Sequence, residues 1–360
     1  MPSEQVPWRE RAVSAEQAVA GIRPGARVFI GSACATPRVL LAALESDSER
    51  PHGIELVHFL TDGAGPAEGT VGFRHRAWYV GTDMRDLARA GRLDYVPMSL
   101  AAVPQVLSAG LLSFDVAFVQ VAPPEDDGIC SLGVSVDVTR AAALSAGRII
   151  AEVNPNMPRT RPESGIALDR IDALVEVDRP VIEYVHPAVG DAARQIARYV
   201  ARLISDEATL QVGLGRVPNE MLRFLEERRG LRIHSDLITD PVVDLVEKGV
   251  VSGPIRASFA MGTRRLYDFL DSNPRRPWRR SSRCAAETRS RACRHWHPSL
   301  RRFRSTSPDR CARSDLTAFC TAAWPRSRTF IVRRRSHRVA SRSCAWPRPS
   351  PMAPPRYDLA

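Results

Sequence analysis

The chain has 360 residues, 44% hydrophobic and 25% charged, with a net charge of +11, a length suited to roughly two domains of about 150 residues each. No run of 18 apolar residues occurs, which excludes a membrane-spanning helix of the usual kind. Residues 1–25 carry charges throughout, so no secretory leader is expected. The charge is unevenly spread: residues 1–275 hold 30 basic and 36 acidic side chains, whereas 276–360 hold 21 and 4. All 21 are arginine, and Lys248 is the chain's one lysine. The arginine-rich stretch has only nine Leu, Ile, Val or Phe residues in 85 positions, too few to offset its ordering entropy, so a disordered tail is expected. Cys34 and Cys130 are the only cysteines before residue 276, a usage that points to a reducing, cytoplasmic setting.

In chain order, Val28–Ile30, Ile54–Leu60, Val116–Val121, Ile149–Val153, Leu174–Val177, Leu210–Val212 and Ile255–Phe259 read as strands, short and β-branched between Gly, Pro or Asn. Between them, Pro37–Leu44, Val103–Leu112, Val138–Ala146, Asp191–Ile204, Asn219–Glu227 and Val242–Lys248 have helical spacing. Alternation of continuously apolar strands with amphipathic helices predicts an open, mainly parallel α/β sheet. The proline-bearing stretch 180–190 precedes the longest predicted helix. The boundary is placed there, giving expected domains at 1–182 and 183–275, the second incomplete, with 276–360 as the tail.

Four segments carry unusual chemistry. Phe29-Ile-Gly-Ser-Ala-Cys-Ala-Thr-Pro37 runs from a strand through Gly31 and Ser32 into a proline-initiated helix, offering backbone N–H groups to a carboxylate or phosphate. A turn chosen for packing reads equally well. Pro123-Pro-Glu-Asp-Asp-Gly-Ile-Cys-Ser-Leu-Gly133 clusters carboxylates, more often a solvated loop than a metal site, and Cys130 reads as a buried, inert thiol. Ala151-Glu-Val-Asn-Pro-Asn-Met-Pro-Arg-Thr160 places Asn154 at the carboxyl edge of the sheet, where α/β ligands bind, although an Asx turn explains it as well. Leu210-Gln-Val-Gly-Leu-Gly-Arg-Val-Pro-Asn219 puts Gly213 and Gly215 after a strand, with Pro218 opening a helix, a turn able to cradle phosphate. His234 and Asp236 alternate and so share one strand face. A structural histidine is the commoner meaning of His234.

Together these segments resemble the acetyl-CoA hydrolase/transferase family, of the 4-hydroxybutyrate and acetate CoA-transferase type. Val242–Val251 and Met261–Pro274 add to the resemblance, which covers residues 1–275 and stops there. It implies two open α/β domains, an acyl-CoA and a small carboxylic acid as substrates, coenzyme A as substrate rather than a tightly bound cofactor, no metal, and a homodimer. It also implies that a glutamate within a His-Ser/Thr-Glu motif attacks the thioester. That motif falls on His234-Ser235-Asp236, and Gln211 falls on a glutamine lining the acyl site. Gly31, Ser32, Asn154, His234, Gly213, Gly215, Pro218 and Asn219 are the expected substrate and CoA contacts.

The sequence departs from the family twice. Asp236 is one methylene shorter than glutamate, drawing the carboxylate back by roughly 1.5 Å, one C–C bond. Beyond Arg275 the family's glycine-rich continuation is absent. Arginine, proline, serine, cysteine and tryptophan enrichment there is what GC-rich DNA yields out of frame, so a frameshift and an impaired enzyme are expected. Hydrolysis of acetyl-CoA is the alternative within the family. Nucleic-acid binding by the arginine tail is the alternative outside it, disfavoured by the acidic folded part. A nicotinamide fold at Gly213 and Gly215 lacks the third spaced glycine. A zinc module from Cys284, Cys293, His295, His297, Cys311 and Cys320 lacks a close Cys pair.

Overall fold

Continuous burial along the central strands is what organises the first half of the chain. The structure is a computed structural model that describes residues 7–46, 53–61, 72–81, 83–160 and 164–272, with the backbones of two strands at 318–320 and 330–333. In the first half the strands are β1 (Arg27–Ile30), β2 (Glu55–His58), β3 (Arg74–Ala77), β4 (Leu93–Tyr95), β5 (Phe114–Val121), β6 (Ile129–Cys130), β7 (Ala146–Val153), β8 (Ile166–Ala167) and β9 (Ala173–Glu176). The helices among them are α1 (Ala15–Val19), α2 (Arg38–Ser46), α3 (Arg85–Arg89), α4 (Val103–Ser108) and α5 (Thr139–Ser145). Seven strands form one sheet in the order β4-β3-β2-β1-β5-β7-β9, and every pair in it is parallel.

Both faces of that sheet are covered. Val28, Ile30, Leu56 and Phe118 pack with Leu40 and Leu44 of α2 on one side. Phe29, Phe114, Trp78 and Val119 pack with Leu107 of α4 and Ala142 of α5 on the other. The Phe29 and Phe114 ring centroids lie 5.3 Å apart and tilted, a favourable aromatic geometry. Strand order reverses at β1, whose neighbours β2 and β5 lead to opposite edges. The crevice at such a reversal is where open α/β sheets place ligands, and the turn following Ile30 lies at it.

Strand β3 reads Arg-His-Arg-Ala and escapes any apolar pattern. It belongs to the sheet because its charge is matched across strands: Glu55 of β2 meets Arg27 Nε at 2.5 Å and Arg76 at 2.9 Å.

The second half builds a smaller sheet around β10 (Thr209–Gln211), β11 (Leu231–His234) and β13 (Val251–Arg256) and a separate two-stranded pair of β12 (Leu237–Ile238) and β14 (Phe259–Ala260), with α6 (Asp191–Leu203), α7 (Arg216–Leu222), α8 (Pro241–Glu247) and α9 (Arg264–Ser272). Strands β10, β11 and β13 are parallel. The expected strand Ile255–Phe259 is divided, β13 ending at Arg256 and β14 pairing with β12, because Ser258 between them turns its backbone to other partners. Helix α7 starts at Arg216, before the expected Asn219. Pro218 is tolerated there because first-turn amides have no partner within a helix.

Within 276–360 the described residues form β15 (Ala318–Cys320) and β16 (Phe330–Arg333). Of these, β16 runs antiparallel to β10, Leu210 opposite Val332, and β15 pairs with β16. Strand β10 thus lies inside a five-stranded sheet of order β13-β11-β10-β16-β15, and Phe330-Ile331-Val332 is a rare apolar run in that stretch. The remainder of the tail expectation lies outside the described residues. One apolar cluster joins the two sheets, with Ala33, Cys34, Leu60, Val134 and Met157 packed among Leu210, Ile233, Phe259, Met261 and Tyr267.

Candidate active site

The carboxyl ends of β10, β11 and β13 bring polar side chains into one row. Leu210 stands opposite Ile233, and Ile233 opposite Ile255, filling the core face. One residue on, His234 pairs with Arg256, and Gln211 leaves β10 on the same side by the alternation of strand side chains. Ser235 points the opposite way. Its hydroxyl donates to Val212 O at 2.8 Å and accepts from Val212 N at 3.0 Å, locking the end of β11 to the end of β10. That lock leaves His234 and Asp236 together on the row's side. The Asp236 carboxyl is half-buried. Burial pushes its pKa above the ordinary carboxylate value, and the His234 imidazole pulls against that rise.

The turn after Gln211 holds the other expected contacts. A Cβ on Gly215 would meet Pro218 Cδ at 3.3 Å, so the absence of a side chain lets the backbone fold closely onto Pro218. Asn219 N donates to Gly215 O at 3.1 Å. The Asn219 amide oxygen is buried and receives no hydrogen bond from the described residues. Gln211, Gly213, Gly215, Pro218, Asn219, His234 and Asp236 therefore belong to one end of the second sheet.

In the first sheet the expected anion cradle is filled from within. The N–H groups of Val39 and Leu40, in the first turn of α2, donate to Glu152 Oε1 at 2.7 and 2.9 Å. Burial pushes Glu152 up to about 7, against the pull of those two amides. Gln120 Nε2 contacts both Glu152 Oε2 and Thr36 O at 3.4 Å, and Asn154 Nδ2 donates to Gln120 Oε1 at 3.0 Å and Arg179 O at 2.8 Å. Asn154, 1% exposed, also accepts from Asn156 N at 3.0 Å, an Asx turn. Gly31 packs its Cα against Phe118 O, where a Cβ would approach to 3.1 Å. Glu152→Ala leaves two helix-start amides without an acceptor, one of them in the core. At about 1–3 kcal/mol for each unsatisfied buried group, we expect a loss of about 3 kcal/mol in urea unfolding at pH 7, with the family's chemistry untouched.

Ser32 is fully buried, and its hydroxyl donates to Asp137 Oδ2. Asp137 Oδ1 accepts from Thr139 N at 2.7 Å and Thr139 Oγ1 at 2.8 Å. The neighbouring backbone reaches the second sheet: Val136 N and Asp137 N donate to Ser258 O at 3.1 and 3.0 Å. In turn Ser258 N and Phe259 N donate to Asp236 O at 3.1 and 2.9 Å. Ser32 and Asp236, expected in one site, are thus joined through two residues that sequence reasoning passed over. Asp137 had a legible signal, an acid two residues before a threonine at a predicted helix start. Ser258 had none, because it lay inside an apparent strand.

Cys130 is buried and its thiol is pushed up to about 12, the inert state expected of it. Among the described residues no group of three or more His, Cys, Asp or Glu is placed to hold a metal. Glu125 of the acidic loop pairs with Arg159 at 3.1 Å. No helix among the described residues is long and apolar enough to cross a membrane.

Comparison with known proteins bears directly on this arrangement. Residues 2–186 match the acetyl-CoA hydrolase/transferase N-terminal domain. The chain is 41% identical over 278 residues to the 4-hydroxybutyrate coenzyme A transferase of Clostridium kluyveri, covering 74% of this chain and 65% of that protein. It is 33% identical over 286 residues to a succinyl-CoA:acetate/propanoyl-CoA:succinate CoA transferase of Fasciola hepatica, covering 76% and 59%. The structure superposes on the crystal structure of RipA from Yersinia pestis with a TM-score of 0.71 at 29% identity, covering 77% and 69% of the two chains. On a 4-hydroxybutyrate CoA-transferase from Porphyromonas gingivalis it gives 0.66 at 30% identity, covering 77% and 69%. The chain thus spans about three-fifths to two-thirds of the length of the two CoA transferases it matches in sequence. With its parallel α/β sheets and these matches, the chain belongs to the acetyl-CoA hydrolase/transferase family.

Proposed function

We propose that this chain carries the acceptor half of a CoA-transfer site, moving coenzyme A between an acyl-CoA and a free carboxylic acid of the acetate or 4-hydroxybutyrate class. Asp236 is its nucleophile. The observation that carries this reading is the Asp236 carboxyl, half-buried beside His234 at the end of a strand whose neighbour ends in Gln211. The two sheets are read as two domains meeting at 182/183, a boundary close to where the N-terminal family match ends at residue 186. The second domain is incomplete.

The carboxylate attacks the thioester carbonyl, forming a mixed anhydride as the C–S bond breaks and the thiolate leaves. The thiolate then attacks the Asp236 carbonyl of the anhydride, releasing the first acid and leaving CoA on Asp236 as a thioester. A second carboxylate attacks that thioester, and the same two steps run in reverse onto the new acid. Each step exchanges one acyl bond for another, so the thioester's free energy stays bonded as long as water is kept out. Hydrolysis begins with the same anhydride and differs only in letting water reach it.

Two features support reduced activity: the short aspartate, and a match that spans only 65% of the length of the Clostridium kluyveri transferase. The test is to incubate the chain with acetyl-CoA, butyryl-CoA or 4-hydroxybutyryl-CoA and measure intact mass, then map the adduct by peptide digestion. A CoA adduct on Asp236 that is lost in Asp236→Asn is the expected result. Adducts absent from both Asp236 and Asp236→Glu, or carried by another residue, overturn the reading. Because only the ionised carboxyl attacks, and burial raises its pKa, the adduct should form faster as pH rises past the ordinary carboxylate range.

A further inference from the structure

A buried aspartate outside the row described above controls how that row is held. We propose that Asp137 is a positioning residue for Asp236: its carboxylate ties the turn after β1 to the start of α5, and the amides beside it hold the Ser258 segment that grips the Asp236 backbone. The proposal rests on Asp236 being the reacting group.

Asp137 is 2% exposed and sits where the two sheets meet. A carboxylate so placed is costly unless its oxygens are bonded, and here they are. Ser32 donates to one oxygen, and Thr139 donates to the other through both its amide and its hydroxyl. Ser32 also lies 3.1 Å from Thr139 Oγ1, so the three side chains close a ring. That ring fixes the conformation of 136–139. Its consequence is geometric: two successive amides, Val136 N and Asp137 N, converge on the single carbonyl of Ser258.

Ser258 has no regular strand pairing of its own. Its carbonyl faces the first sheet, and its amide, with that of Phe259, faces the carbonyl of Asp236. Ser135 forms an isolated antiparallel bridge with Phe259, and Ala260 N donates to Val134 O at 2.8 Å, so the contact runs along the segment rather than through one bond. The peptide after Asp236 is therefore clamped from the first sheet. Where the carboxyl of a nucleophile must fall within about 1 Å of its target to keep its rate, a backbone clamp of this kind sets that position. The flanking hydroxyls of Ser135 and Ser258 are buried and receive or give no hydrogen bond among the described residues, so the clamp is made by main chain alone and Asp137 is the side chain that shapes it.

The experiment compares the full chain with Asp137→Ala, Asp137→Asn and Ser32→Ala. Two readouts need no turnover: amide hydrogen exchange at Ser258 and Phe259, and titration of the Asp236 carboxyl by carbon NMR, assigned with Asp236→Asn. In Asp137→Ala we expect exchange at both amides to quicken at least tenfold and the Asp236 midpoint to move about one pH unit toward the ordinary carboxylate value, as its site opens to water. Asp137→Asn keeps an oxygen for Thr139 and should restore both signals. Ser32→Ala, the milder change, should give a smaller shift in the same direction and serves if Asp137→Ala does not fold. An unmoved Asp236 midpoint in a folded Asp137→Ala or Ser32→Ala, whatever the loss of melting temperature, overturns the proposal. So does failure of Asp137→Asn to rescue. A chain that forms no CoA adduct but shows these shifts would sink the proposed function and leave the positioning role standing.

Discussion

Lengthening the acid at position 236 by one methylene, in Asp236→Glu, should raise the rate of CoA-adduct formation by about 100-fold. The arithmetic starts from reach. Aspartate places its oxygens roughly 1.5 Å short of where glutamate would, one C–C bond, and misplacement of about 1 Å costs on the order of 100-fold in rate. The backbone at this position has little freedom to make up the difference. Its carbonyl takes two hydrogen bonds from Ser258 and Phe259, and Ser235 before it is locked to Val212 on both sides. Space also has to exist for the longer side chain. Asp236 and His234 are both partly exposed, so neither side chain lies wholly within the core. Stopped-flow mixing with acyl-CoA, followed by acid quench and intact mass, gives the two rates. Equal rates in the two proteins would mean that the carboxyl's reach does not limit this chain.

The central strands were legible because they are apolar on both faces: β1, β5 and β7 end where Val28–Ile30, Val116–Val121 and Ile149–Val153 end and begin one, two and three residues earlier. The parallel order followed from the helices between them. What the sequence hid had its meaning across strands. Arg74–Ala77 has no apolar pattern, and its place in the sheet is explained only once Glu55 is seen between Arg27 and Arg76. The apparent strand Ile255–Phe259 conceals a change of partner at Ser258. Alternation made it legible that His234 and Asp236 share a strand side, whereas their chemical role, and that of Gln211, comes only from the family resemblance. The turn after Ile30 was read as either a packing turn or a helix start offering amides to a ligand; the helix start does offer amides, those of Val39 and Leu40, and their acceptor is Glu152, 113 residues from Val39 in sequence. A pattern of local residues identifies a donor set; it does not say whether the chain brings its own acceptor.

The other large effect concerns acid. His58 and His75 lie on neighbouring strands β2 and β3, both nearly without exposure. Their rings are stacked at 5.5 Å, with His58 Nε2 3.3 Å from His75 Nδ1. Burial pushes His58 down to about 3, helped by the charge of His75, and pushes His75 down to about 4, helped by Arg92. Both values fall below that of an exposed histidine, about 6.5. Stability from keeping the pair neutral is therefore fully present above pH 6.5 and is lost as pH falls toward the folded values. At about 1.4 kcal/mol per pKa unit, each histidine removes on the order of 3 kcal/mol between pH 6.5 and pH 4. Buried Glu152, Asp137 and Asp236 act in the opposite sense, because their raised values favour the folded chain in acid. The whole protein's pH profile is thus a difference between two opposed sets, and the histidine part is isolated by comparison with His58→Leu/His75→Leu. Leucine suits the site, where Leu56 stands opposite His75, and it removes the two ring nitrogens, His58 Nδ1 and His75 Nε2, that find no hydrogen bond among the described residues. Urea unfolding from pH 7 to pH 4 should show the variant gaining steadily on the natural chain, by several kcal/mol at the acid end. Parallel curves would show that these rings already carry a proton in the folded protein, and that burial is not what governs them.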